Sequence, residues 1–263
     1  MEREKILQRF EQEIERLTAG TVLDKIAQVE KTGLPQATDF LDPYQQRTAD
    51  RVLHLFKNVK SVTWGGYPGA ERARILIYPA VRQSGTDNVP LAYVEADAGS
   101  KSAELTHRDF LGSVLGLGLR REKVGDIIVT EEGRAQVVIH PEILDYLLSN
   151  WQDVGQYSLR IKEIQSDGLT PAAPRSRDIK TTVASLRLDA VASAGFGMSR
   201  SKLTPAIRAG QVKLNWQSVK NAGAAVKEGD IISLAGRGRV EVAQVLGESK
   251  KGRIQLLLKK RVS

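Results

Sequence analysis

The stretch LRLDAVASAGFGMSRSKLTPAIRAGQVKLNWQSVKNAGAAVKEGDIISL, residues 186–234, decides how the C-terminal third of the chain folds. Its spacing predicts two short helices, at about 185–194 and 200–209, separated at Gly195–Gly197. Ser199 is placed to cap the second helix and Gly210 to end it. QVKLNW (211–216) and a strand near Val219 then make a hairpin, and three more strands follow at 229–236, 239–247 and 253–260. Arg200 and Lys202 fall in the first turn of the second helix, Arg208 two turns on, and Lys213 at the start of the hairpin. Backbone N–H groups and the dipole at a helix start attract an anion. Cations beside that start make a compact phosphate site.

Charge supports this reading. The chain of 263 residues carries a formal net charge of +8. Residues 175–263 hold 18 Lys and Arg against 6 Asp and Glu, a net of +12, which leaves −4 for the rest. An excess confined to one segment is the footprint expected of a polyanion-binding surface. A membrane surface or an acidic protein is the other class of partner that charge alone allows.

Upstream of the quoted stretch, SDGLTPAAPRSRD (166–178) is rich in Pro, Gly and Ser and reads as a linker. Charge and composition change together there. The segment 72–165 alternates in type. Strands are expected at 74–80, 91–97, 126–133, 134–140 and 157–164. Helices are expected from Thr106 through Gly116 and from Pro141 to about Val154. Without the first strand the order is β-α-β-β-α-β, the split-βαβ or ferredoxin-like pattern. Residues 1–56 read as helical, with Ile6, Phe10, Ile14 and Leu17 forming one stripe. The expected division is a helical region at 1–60, an α+β domain resembling an RNA-recognition motif at 61–165, a linker at 166–180 and a basic domain at 181–263. The fold class is therefore α+β.

Several classes of function are disfavoured. No apolar run approaches the roughly 18 residues that a membrane span needs. The charged, helical start does not resemble a signal peptide. The absence of cysteine removes thiol catalysis and thiolate metal sites, and fits a reducing compartment such as the cytoplasm. Gly65–Gly69 lacks the ending of a nucleotide-binding P-loop and reads as a shaped turn. His107 with Asp109 invites a catalytic reading, yet no nucleophile stands at a recognisable spacing. No cofactor is expected. Of the aromatics an RNA-recognition sheet needs, strand 91–97 supplies only Tyr93 and strand 134–140 none, so stacking on that face is not expected.

Residues 186–234 resemble the S4 RNA-binding domain, of αL type, through Arg187-Leu188-Asp189, Gly195, Ser199-Arg200, Ile207, Gly210, Val212, Asn215, Val219, Val226 and Gly229-Asp230-Ile231. Asn215-Trp216 stands where most S4 domains have Asn-Gly, which resembles the YlmH-like branch, as does GRGRVEVAQVLGESKKGR (236–253). Ala235 departs from that branch, which more often has arginine there. GGYPGAERARILIYP (65–79) and LTHRDFLGSVLGLGLRREKVGDIIV (105–129) resemble its most characteristic stretches. The chain is also similar to a cyanobacterial and plastid group of the family labelled photosystem II S4-domain protein.

The resemblance implies a ribosome-associated factor binding rRNA or tRNA on the large subunit, in quality control or in rescue of stalled subunits carrying peptidyl-tRNA, acting as a monomer in the cytoplasm or plastid stroma. It nominates Arg187, Ser199, Arg200, Ser201, Lys202, Arg208, Lys213 and Asn215 as RNA contacts. Asp189 and Asn215 could instead brace turns, and Trp216 could stack on a base or pack within its domain. Lys250, Lys251 and Arg253 form a second basic cluster. S4 domains also accompany pseudouridine synthases and tyrosyl-tRNA synthetases, so an RNA-modifying enzyme is the alternative. No HIGH-like or KMSKS-like signature is present, and the reading expects no enzyme. A role in photosystem II assembly follows from the group label alone.

Overall fold

Apolar spacing in the first thirty residues does not yield one continuous helix. In the computed structural model, which describes residues 3–99, 102, 104–130, 133–171, 176–249 and 252–261, α1 (Arg3–Leu7) and α2 (Glu13–Thr32) are separate. The Arg16 guanidinium donates to the carbonyls of Phe10 and Glu11 and holds the turn between them. The break resets the helical phase. Ile6 and Phe10 are buried, but Ile14 and Leu17 are 41% and 62% exposed, so the expected stripe fails after Phe10. The face α2 buries is Ala19, Val22, Leu23, Ile26 and Val29. After β1 (Gln36–Ala37), Asp42 caps α3 (Pro43–Leu53) by accepting the Tyr44 and Gln45 N–H groups. Then come β2 (Val59–Trp64) and β3 (Arg74–Pro79), in a three-stranded antiparallel sheet of order β1-β3-β2. The strand expected in front of the middle domain thus pairs with the strands beside the N-terminal helices.

The next elements are β4 (Ala92–Asp97), α4 (His107–Gly116), β5 (Val124–Val129), β6 (Arg134–Ile139), α5 (Leu144–Asn150), the short pair β7 (Asp153–Val154) and β8 (Tyr157–Ser158), and β9 (Arg160–Ile164). The four long strands form an antiparallel sheet of order β5-β6-β4-β9. That is the split-βαβ arrangement the element order implies. Helix α5 is shorter than expected. The chain makes a 3-10 turn at Pro141–Ile143, and buried Trp151 ends the helix ahead of the β7–β8 hairpin. Phe110, Val114, Leu147 and Trp151 cover one face of the sheet, against Val94, Ala96, Val137 and Ile139.

The chain divides into two units, Met1–Ala172 and Ala173–Ser263. The second opens with β10 (Ser176–Val183), which runs antiparallel along β15 (Ile254–Arg261). Five of the eight residues of this strand lie in the segment 166–180 expected as linker. Then follow α6 (Leu188–Phe196), α7 (Arg200–Arg208), β11 (Val212–Leu214), β12 (Gln217–Ser218), β13 (Ile231–Leu234) and β14 (Gly238–Glu248). The sheet order is β10-β15-β14-β13-β11-β12, and both helices pack on one face in a single apolar cluster. Gly195 lies inside α6 rather than after it. A Cβ there would sit 2.5 Å from Val240 Cγ1, so only glycine lets the helix approach β14 this closely.

In the first unit the face of the four-stranded sheet away from α4 and α5 is covered by the chain itself. Gly66, at φ 100, lies so close to Tyr93 and Val138 that a Cβ would come within 2.9 Å of the tyrosine ring. The Asp126 carboxylate on β5 accepts the Tyr67 hydroxyl at 2.8 Å and the Glu71 and Arg72 N–H groups at 2.7 and 3.0 Å. GGYPGAER is therefore a plug locked onto the sheet by one carboxylate. Arg72 donates to the carbonyls of Phe40 and Val124, joining the N-terminal part to β5. Buried Arg74 donates to Thr38 O, Pro90 O and His140 Nε2. Burial pulls the Arg74 guanidinium down to about 10, still charged at neutral pH. Further along the same face, the Gln136 carboxamide binds Gly168 O and the Thr170 N–H.

Two outcomes follow for this seam. Asp126→Ala leaves two N–H donors and a hydroxyl without their acceptor and should lower stability by about 2 kcal/mol in chemical unfolding; a change under about 0.5 kcal/mol, the range of ordinary surface substitutions, would contradict it. His140 is a pH sensor for the same seam. Arg74 can only donate, so the 2.9 Å contact makes His140 Nε2 the acceptor and leaves the ring proton on Nδ1, which then cannot accept the Glu142 N–H 3.2 Å away; this is a tautomer of the neutral ring. Burial, then the charges of Arg74 and Lys123, hold its pKa below the usual value, against Glu142 and Asp39. The unfolded chain therefore takes up this proton first as pH falls through about 6.5. Stability from this contact is complete above that pH and declines below it until the folded-state value is passed. His140→Gln, which keeps an acceptor for Arg74, should flatten thermal stability between about pH 5 and 7; an unaltered profile would exclude His140 as the source.

Candidate nucleic-acid interface

Ser199 occupies the cap position of α7, at φ −68 and ψ 149, and its carbonyl accepts the Lys202 and Leu203 N–H groups. Its hydroxyl lies 2.9 Å from the Ser201 hydroxyl and caps no helix N–H. Ser199, Arg200, Ser201 and Lys202 are all exposed, a basic first turn with two hydroxyls. The start of α6 lies near this turn. Arg187 there grips Asp189 in a two-pronged pair at 3.1 and 3.2 Å. Burial alone would raise the Asp189 pKa, but the Arg187 hydrogen bonds and the Arg187 and Arg200 charges lower it on balance. Arg187 is thus half-exposed and engaged as a brace, while Arg200 adds its charge to the same corner. Arg208 is exposed at the far end of α7.

The hairpin carries a second group. Leu214 pairs with Gln217, so Asn215 and Trp216 form a two-residue turn, with φ 51 and 69. A turn with two left-handed residues favours Asn-Gly, and a bulky residue at the second position costs on the order of 1 kcal/mol. The Asn215 side chain points into its own domain. Its amide donates to Asp230 Oδ1 at 2.8 Å and its carbonyl accepts the Ile231 N–H at 3.0 Å. Of the two roles open to Asn215, the brace is the one its contacts fill. Lys213 pairs across the strands with Ser218 and with Ser233, and Ser233 pairs with Arg239. Their buried neighbours Val212, Ile232, Leu234 and Val240 face the core, so this row lines the opposite face. The Arg239 guanidinium lies over the Trp216 ring, 5.9 Å from its centroid.

Arg253 is tied down: it donates to Thr182 Oγ1 and Thr182 O at 3.1 and 2.9 Å. Lys250 and Lys251 lie outside the described residues. Sequence reasoning missed Arg237 and Arg239. Ala235 is exposed in the β13–β14 turn, with exposed Arg237 two residues on. The alternating GRGR at 236–239 was the available signal, since it puts Arg239 on the open face of a strand.

The middle sheet carries paired carboxylates on the face away from α4 and α5. The Glu95 and Asp97 carboxylates stand beside Tyr93 on its plugged face, paired with Lys162 at 2.8 Å and Arg160 at 3.0 Å. The Asp109 carboxylate accepts both the N–H and the hydroxyl of Thr106, capping α4, which accounts for its place after His107 without chemistry. Among the described residues no group of His, Asp and Glu could hold a metal ion.

Residues 14–81 match the family model described as YlmH, N-terminal, residues 86–168 the putative RNA-binding domain in YlmH, and residues 186–232 the S4 domain. The chain is 31% identical over 214 residues to the ribosome-associated protein quality control protein P2 of Bacillus subtilis (strain 168), covering 81% of this chain and 82% of that one. The chain belongs to the YlmH family. A solved structure, the cell division protein ylmH from Streptococcus pneumoniae, superposes with a TM-score of 0.52 at 24% identity, over 61% of this chain and 98% of the other, and shows likeness of fold. In this chain the glycine-rich stretch at 65–72 is the plug, and the match at 186–232 holds the braced hairpin and the basic helix start.

Asn215→Ala should act on stability. It strips one partner from Asp230, which is 5% exposed, and should cost about 2 kcal/mol in unfolding of the second unit. Loss of RNA affinity with unchanged stability would instead make Asn215 a direct contact.

Proposed function

We propose that this protein is a ribosome-associated RNA-binding factor that grips structured rRNA or tRNA through its S4 unit. The observation that carries the reading is the exposed basic first turn Ser199–Lys202, on a unit that matches the S4 domain and in the strongly basic part of the chain. Arg200 and Lys202 supply phosphate contacts at the helix start, with the hydroxyls of Ser199 and Ser201 beside them. Arg208, Lys213 and Arg237 extend the footprint. Arg187, Asn215 and Arg253 hold the surface in shape. The name of the Bacillus subtilis relative supports a place on the ribosome, in protein quality control. Action on the large subunit, as a monomer in the cytoplasm or plastid stroma, completes the proposal. No helix among the described residues is long and apolar enough to cross a membrane.

An enzyme of pseudouridine-synthase type gains no support from the geometry. The Asp189 carboxylate of the Arg-Leu-Asp triplet is paired with Arg187 inside the S4 unit. A link to photosystem II likewise has no observation behind it.

Binding of rRNA and tRNA fragments should weaken steeply with salt. Five phosphate contacts, from Arg200, Lys202, Arg208, Lys213 and Arg237, give a slope of log K against log salt of about −4. Arg200→Gln with Lys202→Gln should reduce that slope by roughly 1.5 and weaken all RNAs alike. Filter binding across a salt series measures both. A salt-independent affinity, or a double variant that binds as wild type, would remove the S4 helix start as the site.

A further inference from the structure

We infer that Trp216 and Arg239 form a stacking platform for an unpaired nucleobase, giving the site a preference for RNA loops over plain duplex. The inference rests on the RNA-binding reading above and adds a base-reading element to its phosphate contacts.

Trp216 stands at the second position of a turn where glycine would sit without strain. The turn cannot relax. Asn215 N–H donates to Ile231 O at 2.8 Å, its side chain binds Ile231 N–H and Asp230, and Asp230 also accepts the Lys227 N–H at 2.9 Å. A strained residue held by its surroundings in this way is a mark of a functional site. The result is an indole at the hairpin tip, partly open to solvent, with the Arg239 guanidinium over its ring. Both groups are planar, and flat aromatic and guanidinium surfaces are what splayed-out bases stack on. Lys213 and Ser233 lie in the same cross-strand row as Arg239, so a cation and a hydroxyl flank the platform for the phosphates of the stacked nucleotide. The other two tryptophans have different surroundings. Trp151 is buried and donates to Ser113, and Trp64 packs in β2 beside Leu76 and Tyr78. A duplex hides the faces of its bases inside the stack, whereas a loop exposes them, so the platform discriminates between the two.

The test compares two RNAs of equal phosphate number on the full chain: a hairpin with an unpaired purine loop and a blunt duplex. Trp216→Gly gives the turn its preferred residue, so the fold is kept. It should lower the hairpin-to-duplex affinity ratio roughly tenfold, within the range one stacked base contributes, while Trp216→Phe retains most of the ratio. A ratio unchanged in Trp216→Gly would overturn the platform. Arg200→Gln with Lys202→Gln, run alongside, should weaken both RNAs together and keep the ratio. If that double variant binds as wild type, the phosphate site fails, while the Trp216→Gly ratio still decides the platform.

Discussion

Asp230 is a carboxylate almost without solvent, and both its oxygens are taken: one by the Asn215 amide, the other by the Lys227 N–H. A buried carboxylate needs such hydrogen-bond partners to be tolerated at all. The same contacts fix the β11–β12 hairpin in register against β13. That register puts Lys213, Ser233 and Arg239 in one row on the open face and turns the Trp216 indole toward Arg239. A one-residue slip would send Lys213 into the core. The basic surface of the S4 unit thus depends on a pair of residues that contribute no charge to RNA themselves.

A carboxylate plays the opposite part in the first unit. Asp126 gathers the plug onto the sheet, and the plug covers Tyr93, the aromatic that an RNA-recognition motif would use. The two neighbouring acidic residues on that face are paired with Lys162 and Arg160. The split-βαβ arrangement is kept while the face that usually serves RNA is spent on joining the N-terminal segment. The first unit is built around an internal seam, and the second exposes a basic helix start.

Much of this was legible in the sequence because it rests on local chemistry. Thr106 and Ser199 mark helix starts, Gly210 marks an end, and QVKLNW marks a hairpin strand and its turn. The short apolar runs in 231–234 and 254–258 mark strands. What was not legible depends on distant partners. The β10 strand hides in a segment that reads as linker. Its period-two trace, Ile179 and Val183, is apolar only where β15 and the helices cover it. The break after Leu7 is set by the Arg16 side chain, which no spacing rule registers, and every later position shifts in phase. Gly195 reads as a helix end because the reason for a glycine there, Val240, lies 45 residues on. For Arg187, Asn215 and Arg253, residue type suggests an RNA contact equally well, and only their hydrogen bonds separate braces from exposed cations.

The proposed RNA surface is the S4 helix start with the open hairpin face, and the rival surface is the sheet of the middle domain. Ultraviolet crosslinking of the full chain to ribosomal RNA, followed by mass mapping of the crosslinked peptides, measures this directly. The account predicts crosslinks within 199–219 and 233–241 and none in strands 92–97 and 134–139. Crosslinks concentrated on Tyr93 and its neighbours, with the S4 peptides unmarked, would contradict it.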